Sequence, residues 1–260
     1  MAEPIQAVEK PVLTWRQKVV QAGAIVAKPW RRYRASLFQG YLIAAIVIFL
    51  ILAVLAHTIA YFTFDVTITR AVQTVNVVGF SILMQFLSWL GFTPQVDLIT
   101  VIFVLFLYLT GLRWEAMLSL LSVVGISIVG AGIKILVDRP RPGADLVHVI
   151  SQLRDFSFPS GHVLYFTTFF GFLLFLSYTL LKPSWGRTVL IVIFGLVIGL
   201  MGLSRIYEGQ HWASDVLAAY LLGSVWLAGS VWVYRWGKPR FFVNQPIAKE
   251  TGRDRATPEL

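Results

Sequence analysis

Runs of apolar residues too long to belong to a soluble helix recur along this chain, and they leave few folds open. An uninterrupted apolar stretch of about 18 residues or more reads as a transmembrane helix. Such stretches fall near Tyr41–Phe62, Val96–Leu112, Ala116–Val137, Val163–Leu181, Thr188–Leu203 and Val216–Tyr234. Between the first two lies a mixed segment, Val66 to Thr93, opened by Asp65 and carrying Arg70, Asn76 and Gln85. Its apolar part, Ser81 to Leu90, is too short to cross and reads as helices lying at the interface. The expected fold is therefore all-α, a polytopic membrane protein of six transmembrane helices with short interfacial helices between spans one and two.

Charge distribution discriminates between six spans and a seventh through Val77–Phe92. With the N-terminus inside, six spans place 16 of the 22 lysines and arginines on the inner side, whereas seven place 12 there. The positive-inside rule favours six. It also accounts for the net charge of +9 without nucleic acid, which would be the first reading in a soluble protein. At 57% hydrophobic and 13% charged, the composition argues against one soluble core. Cysteine is absent, which excludes disulfides, thiolate chemistry and Cys-ligated zinc. The first forty residues show no cleavable signal, so the first span is expected to be a retained anchor.

Three regions follow: a basic cytoplasmic segment 1–38, a membrane domain 39–236 and a polar cytoplasmic tail 237–260. Helical spacing of Val12, Trp15, Val19, Ala22 and Val26 fits an interfacial helix, and a loose basic tail fits as well. Trp30, Tyr33, Trp185, Trp232, Tyr234 and Trp236 suit an inner aromatic belt. Gly195-x-x-x-Gly199 suggests close helix packing, within the bundle or at a dimer seam.

Against this apolar background a few polar residues stand out. Lys134 lies in the last turn of the third span, where a lysine at bilayer depth costs about 2.5–3.5 kcal/mol unless it snorkels. Seven residues on, Arg141 sits among prolines that stop the helix. Phe158-Pro-Ser160-Gly161-His162 precedes the fourth span, placing free backbone N–H groups where they favour an anion. In Ser204-Arg205-x5-His211-x3-Asp215, the histidine and carboxylate are four apart. They share a face if a helix begins near His211, an arrangement that also occurs as an ordinary surface pair. The loops after spans three and five are separated by two crossings and open on one membrane face. Lys134, Arg141, Ser160, Gly161, His162, Arg205, His211 and Asp215 can then meet in one pocket, with cations suited to a phosphate and two histidines suited to phosphoryl transfer.

Lys134-x6-Arg141-Pro142, Pro159-Ser-Gly-His162 and Ser204-Arg205-x5-His211-x3-Asp215 together resemble the three motifs of the type 2 phosphatidic acid phosphatase (PAP2) superfamily. The resemblance implies that His211 attacks phosphorus, Asp215 orients it, and His162 protonates the leaving oxygen. It implies that Lys134, Arg141, Ser160, Gly161 and Arg205 bind the phosphate oxygens, with no metal and no cofactor. Glu208 departs from the motif; it reads as a solvated loop acid or as a residue tuning headgroup preference. Asp145 and His148 read as loop surface, and His57 as hydrogen-bonded within the bundle.

The function expected is a membrane lipid phosphatase acting on a lipid phosphate or pyrophosphate of the undecaprenyl pyrophosphate, phosphatidylglycerophosphate or phosphatidic acid type. Its partners are that lipid substrate and membrane lipids. The expected location is a bacterial inner membrane, with the site on the outer face and both termini cytoplasmic. A phosphotransferase using the same phosphohistidine remains open. A vanadate haloperoxidase shares the site pattern but belongs to soluble relatives, and a transporter would place its charges at mid-membrane.

Overall fold

A computed structural model describes residues 15–241, and side chains over 33–240. Eight helices follow one another: α1 (Trp15–Thr58), α2 (Thr63–Gln73), α3 (Val78–Leu90), α4 (Gln95–Leu109), α5 (Arg113–Val137), α6 (Gly161–Leu180), α7 (Trp185–Tyr207) and α8 (Ala213–Phe241). No strand occurs among the described residues. The chain divides into two compact units, Met1–Ala45 and Ile46–Leu260. The described part of the first is the N-terminal stretch of α1, which continues with no break near residue 38. The basic segment and the first span therefore share one helix from Trp15. Residues 1–14 and most of the expected C-terminal tail lie outside the described residues; α8 itself continues past Gly237 to Phe241.

Among the described residues, five helical segments are long and apolar enough to cross a membrane: Tyr33–Thr58 within α1, and those in α5, α6, α7 and α8. The expected second span differs. Helix α4 has 15 residues, about 22 Å at 1.5 Å per residue, short of a hydrocarbon layer of about 30 Å. It meets α3 at 68° across a break of four residues, and the two make a sixth crossing only as a bent pair. Val77–Phe92 does not cross alone, since α3 has 13 residues.

Helix α6 is central. Two-thirds (67%) of its most apolar window is buried, against 11–33% for the other four, which leave most of their apolar side chains facing outward. That core is aromatic: Phe166, Phe169, Phe170 and Phe172 of α6 pack with Phe194 of α7 and Tyr234 of α8. Phe166 and Phe170 stack with centroids 5.0 Å apart. Polar contacts tie α5 to α8: Ser122 and Ser230 hydroxyls lie 2.7 Å apart, and Glu115 pairs with Lys238 while accepting from the Tyr234 hydroxyl. Tyr234 is thus buried in the core, unlike Trp185 and Trp232, which are exposed as belt residues should be.

The smallness of Gly195 and Gly199 serves no close helix approach in this chain, because a Cβ at either meets nothing within 4 Å. The close approach of α7 to α8 is at Gly202, where a Cβ would lie 2.4 Å from the Tyr220 hydroxyl and 2.7 Å from Val216. Tyr220 needs that space because its hydroxyl donates to the Ile198 carbonyl at 2.7 Å. Gly202→Ala should therefore destabilise the protein by about 1–3 kcal/mol through overpacking, whereas Gly195→Ala should be neutral or better. Thermal unfolding of the purified protein in detergent checks this, and equal effects at both glycines would contradict it.

Candidate active site

The C-terminus of α5, the N-terminus of α6, the C-terminus of α7 and the N-terminus of α8 lie at one end of the bundle, because consecutive spans run in opposite directions. Two loops fill that end, residues 138–160 and 208–212. The long loop leaves α5 through Asp138, whose φ of 52° turns the chain out of the helix. Its two arms then run together: Ser157 N donates to the Arg139 carbonyl at 2.9 Å and Ser157 Oγ to the Pro140 carbonyl at 3.0 Å. Trp212, fully buried, donates its indole N–H to Pro140 O at 3.2 Å, fastening the short loop onto the long one.

Asp215 and Arg139 organise this region from beneath. Asp215 sits in the first turn of α8 and accepts the Trp212 N–H at 2.9 Å, satisfying a helix-end donor. Asp65 does the same for α2, accepting the Phe62 N–H at 3.1 Å. Between the two carboxylates lies the Arg139 guanidinium, 2.5 Å from Asp215 Oδ1 and 2.9 Å from Asp65 Oδ2, with all three side chains fully buried. Arg139 also donates to Ser214 Oγ (2.7 Å) and Ala60 O (3.0 Å). Asp65 further accepts the Ser214 N–H and hydroxyl, both at 2.8 Å. Every guanidinium nitrogen and every carboxylate oxygen of the three thus has a partner, as buried charge requires.

Above this network a cavity of about 390 Å³ opens, lined by Lys134, Arg141, Asp155, Gly161, His162, His211, Gly91 and Phe92 among others. His211 is buried. Its Nδ1 lies 2.8 Å from the Ser157 carbonyl and its Nε2 lies 3.2 Å from Arg141 Nη1. A carbonyl only accepts and a guanidinium only donates, so the proton sits on Nδ1 and the lone pair on Nε2. Asp215 Oδ2 is 3.7 Å from Nδ1, too far for a hydrogen bond. The sequence suggests a direct Asp215–His211 bond on a shared helix face. Because α8 starts only at Ala213, His211 lies outside the helix, and a backbone carbonyl takes the carboxylate's place. Burial, and behind it the charges of Arg141, Arg205 and Lys134, pushes the imidazole well below its ordinary pKa.

The other expected residues surround His211. Lys134 Nζ donates to Asp155 Oδ2 (2.6 Å) and Phe156 O (2.7 Å). Arg141 donates to Asp155 through both backbone and carboxylate oxygens and to Gln210 O at 2.6 Å. Ser160 caps α6, yet its hydroxyl makes no cap bond and has no partner; His162 Nε2 and Arg205 Nε are likewise buried without partners. Of these three atoms only that of His162 belongs to a residue lining the cavity; the Ser119, Thr167 and Thr168 hydroxyls are also buried without partners elsewhere in the bundle. Ser160, Arg205 and Asp215 lie behind the cavity wall with no exposed surface.

Several neighbours escaped the sequence reading. His162 packs edge-on against Phe92 (centroids 4.7 Å apart), and Arg205 lies over the same ring at 5.2 Å. Arg205 also donates to Ser88 and Gln210. Both of those donate to Glu208 Oε2, at 2.7 and 2.8 Å. Glu208 is thus not a solvated loop acid: it is buried, which pushes its carboxyl pKa up, and it anchors the groups that hold Arg205. Asp145 and His148 are exposed. His57 Nδ1 lies 3.2 Å from Val137 O. Gly91, at the bend between α3 and α4, lets the His162 ring approach: a Cβ there would fall 1.9 Å from the imidazole.

Comparison with known proteins gives consistent matches. The PAP2 superfamily matches residues 114–240. The chain is 30% identical over 180 residues to phosphatidylglycerophosphatase B of Bacillus subtilis, covering 67% of this chain and 85% of that protein. A shorter match, 40% over 75 residues, is to undecaprenyl-diphosphatase of Sulfolobus acidocaldarius, covering 28% of this chain and 31% of the relative. Among solved structures, the transmembrane PAP2 type phosphatidylglycerolphosphate phosphatase from Bacillus subtilis superposes with a TM-score of 0.67 at 25% identity, covering 77% of this chain and 98% of that one. LpxE from Aquifex aeolicus superposes with a TM-score of 0.54 at 20% identity, covering 65% and 96%, a likeness of fold alone.

The Gly91 contact yields a direct test. Gly91→Ala must displace the His162 ring, and a misplacement on the ångström scale should lower turnover about 10²-fold with little change in unfolding temperature. Steady-state kinetics beside a thermal melt measures both, and full turnover would show that His162 does not need this position.

Proposed function

The chain belongs to the PAP2 superfamily and is a membrane phosphatase; from that premise we propose that it removes the terminal phosphate of a lipid phosphate or lipid pyrophosphate through a phosphohistidine on His211. The observation that carries this reading is the enforced tautomer of His211, which keeps a lone pair on Nε2 at the cavity. In the first half-reaction that lone pair attacks phosphorus, and the bond to the lipid oxygen breaks. His162 gives a proton to the departing oxygen. In the second half, water attacks the phosphohistidine, His162 takes its proton, and inorganic phosphate leaves with His211 restored. Lys134, Arg141 and the Gly161 N–H, at the cavity, would stabilise the charge on the phosphoryl oxygens directly, and the Ser160 hydroxyl and Arg205, behind its wall, would add to the field there. Asp215 would act by fixing the start of α8 and the field around the imidazole, since Ser157 O holds its N–H.

The likeness over 180 residues to a phosphatidylglycerophosphatase makes phosphatidylglycerophosphate the first substrate to test; the shorter likeness to an undecaprenyl-diphosphatase makes prenyl pyrophosphates the second. Apolar side chains exposed on the helices allow the lipid tail to remain in the bilayer while its headgroup enters the cavity. We place the cavity on the outer face of a bacterial inner membrane with both termini cytoplasmic, on the charge bias of the loops. A single cysteine at Ala144, in a chain that has none, should react with an impermeant maleimide added to intact cells. Labelling only after lysis would reverse the orientation.

Phosphate release by the purified protein across glycerophospholipid phosphates and prenyl pyrophosphates tests the reaction, and transfer to an added acceptor in place of release would mark a phosphotransferase. His211→Ala should abolish release, and His162→Ala should lower it by about 10²–10⁴-fold, least for substrates with good leaving groups. Retained activity in His211→Ala would refute its role as nucleophile. Because His211 is held neutral, protonation silences it only well below the ordinary imidazole value of about 6.5. The acid limb of kcat/KM should therefore lie low. Arg141→Gln removes the nearest positive charge and should shift that limb upward; an unmoved or lowered limb would contradict the electrostatic account.

A further inference from the structure

The motif residues leave one charged group of the cavity without a part in the reaction. Asp155 lies on the loop between α5 and α6, five residues before Ser160. Its two carboxylate oxygens are divided between two cations: Oδ2 is 2.6 Å from Lys134 Nζ and Oδ1 is 2.6 Å from Arg141 Nη2. We propose that Asp155 sets the anion affinity of the phosphate site, its carboxylate occupying Lys134 and Arg141 in the free enzyme and giving them up to the phosphate. The inference rests on the reading above, in which those two cations bind phosphoryl oxygens.

Two further features fit a displaceable carboxylate better than a fixed strut. The first is exposure. The Asp155 side chain is 57% exposed, whereas the Asp65 and Asp215 carboxylates are fully buried. Asp155 therefore stands at the open side of the cavity with room to swing away. The second is that both cations are anchored independently of the carboxylate, by main-chain oxygens. Lys134 also donates to Phe156 O at 2.7 Å, and Arg141 to Asp155 O at 2.8 Å and Gln210 O at 2.6 Å. Moving the carboxylate leaves those bonds in place.

The carboxylate is always charged. Burial raises its pKa, but the hydrogen bond and charge of Lys134 and the charge of Arg141 outweigh that and hold it at about 2. An incoming phosphate thus meets two cations whose joint charge one carboxylate already halves, and a bound phosphate is repelled by a nearby negative charge ready to replace it. The net effect is weaker retention of substrate and of product alike, which favours release of inorganic phosphate after the second half-reaction.

The test uses full-length protein in detergent, with Asp155→Asn, Asp155→Ala and the charge-keeping Asp155→Glu. Inorganic phosphate and orthovanadate serve as inhibitors of phosphate release from phosphatidylglycerophosphate. Removing one like charge beside the bound anion should lower both inhibition constants about tenfold and lower KM in Asp155→Asn and Asp155→Ala. Asp155→Glu should stay near wild type. Inhibition constants and KM that rise or do not change in both neutral variants would overturn the proposal, since a residue that merely positions Lys134 and Arg141 loosens anion binding when removed. The Ala variant, which leaves no polar group seeking a partner, keeps the test open if Asp155→Asn misfolds. Wild-type protein that releases phosphate from neither phosphatidylglycerophosphate nor a prenyl pyrophosphate would refute the reading on which this one rests. A working wild type whose variants do not tighten refutes only the role of Asp155.

Discussion

A guanidinium shut away from water holds this site together. Arg139 lies between Asp65 and Asp215, which cap the starts of α2 and α8, while its own backbone belongs to the loop leaving α5. One side chain thus fixes three stretches of chain that are far apart in sequence. Removing either partner would strand a buried charge, at about 3–5 kcal/mol. The cavity depends on the same cluster: with α8 and the long loop locked together, Ser157 O is held against His211, and that contact decides which imidazole nitrogen carries the lone pair.

The layer above follows a different electrostatic rule. Arg139 is matched by two carboxylates and fully compensated, leaving no charge for a ligand. Lys134 and Arg141 are compensated only by Asp155 at the cavity's open side, and Arg205 by a relay of Ser88, Gln210 and Glu208 in which no carboxylate touches it within hydrogen-bond distance. The Arg139 charge is therefore structural and Arg205 lies behind the wall, whereas Lys134 and Arg141 line the cavity itself. Burial and the surrounding cations keep His211 neutral, the state a nucleophile requires.

The sequence makes the three motifs legible because lysine, arginine and histidine are conspicuous in so apolar a chain, and because counting crossings brings distant loops to one face. It leaves hidden whatever depends on pairing at long range. Asp65 is the sole acidic residue between residues 39 and 96, a signal worth reading, but its distant partners, Arg139 and Ser214, are 74 and 149 positions away. Arg139 lies within Arg-Pro-Arg-Pro beside Arg141, yet local sequence does not say which of the two faces inward. The four-residue spacing of His211 and Asp215 suggests a shared helix face, a reading that fails once α8 begins at Ala213. The bend of α3 against α4 has a visible cue in Gly91 and Pro94, but its purpose, room for the His162 ring, appears only in three dimensions.

At the centre of the account is a lone pair on His211 Nε2 that takes the phosphoryl group. Brief reaction with substrate carrying labelled terminal phosphorus, followed by a denaturing quench, tests that most directly. Label should appear on the His211 peptide in wild type or in the slower His162→Ala variant, stable to base, lost in acid, and absent from His211→Ala. Hydrolysis that proceeds with no labelled protein in either form, or label that persists without His211, would contradict it.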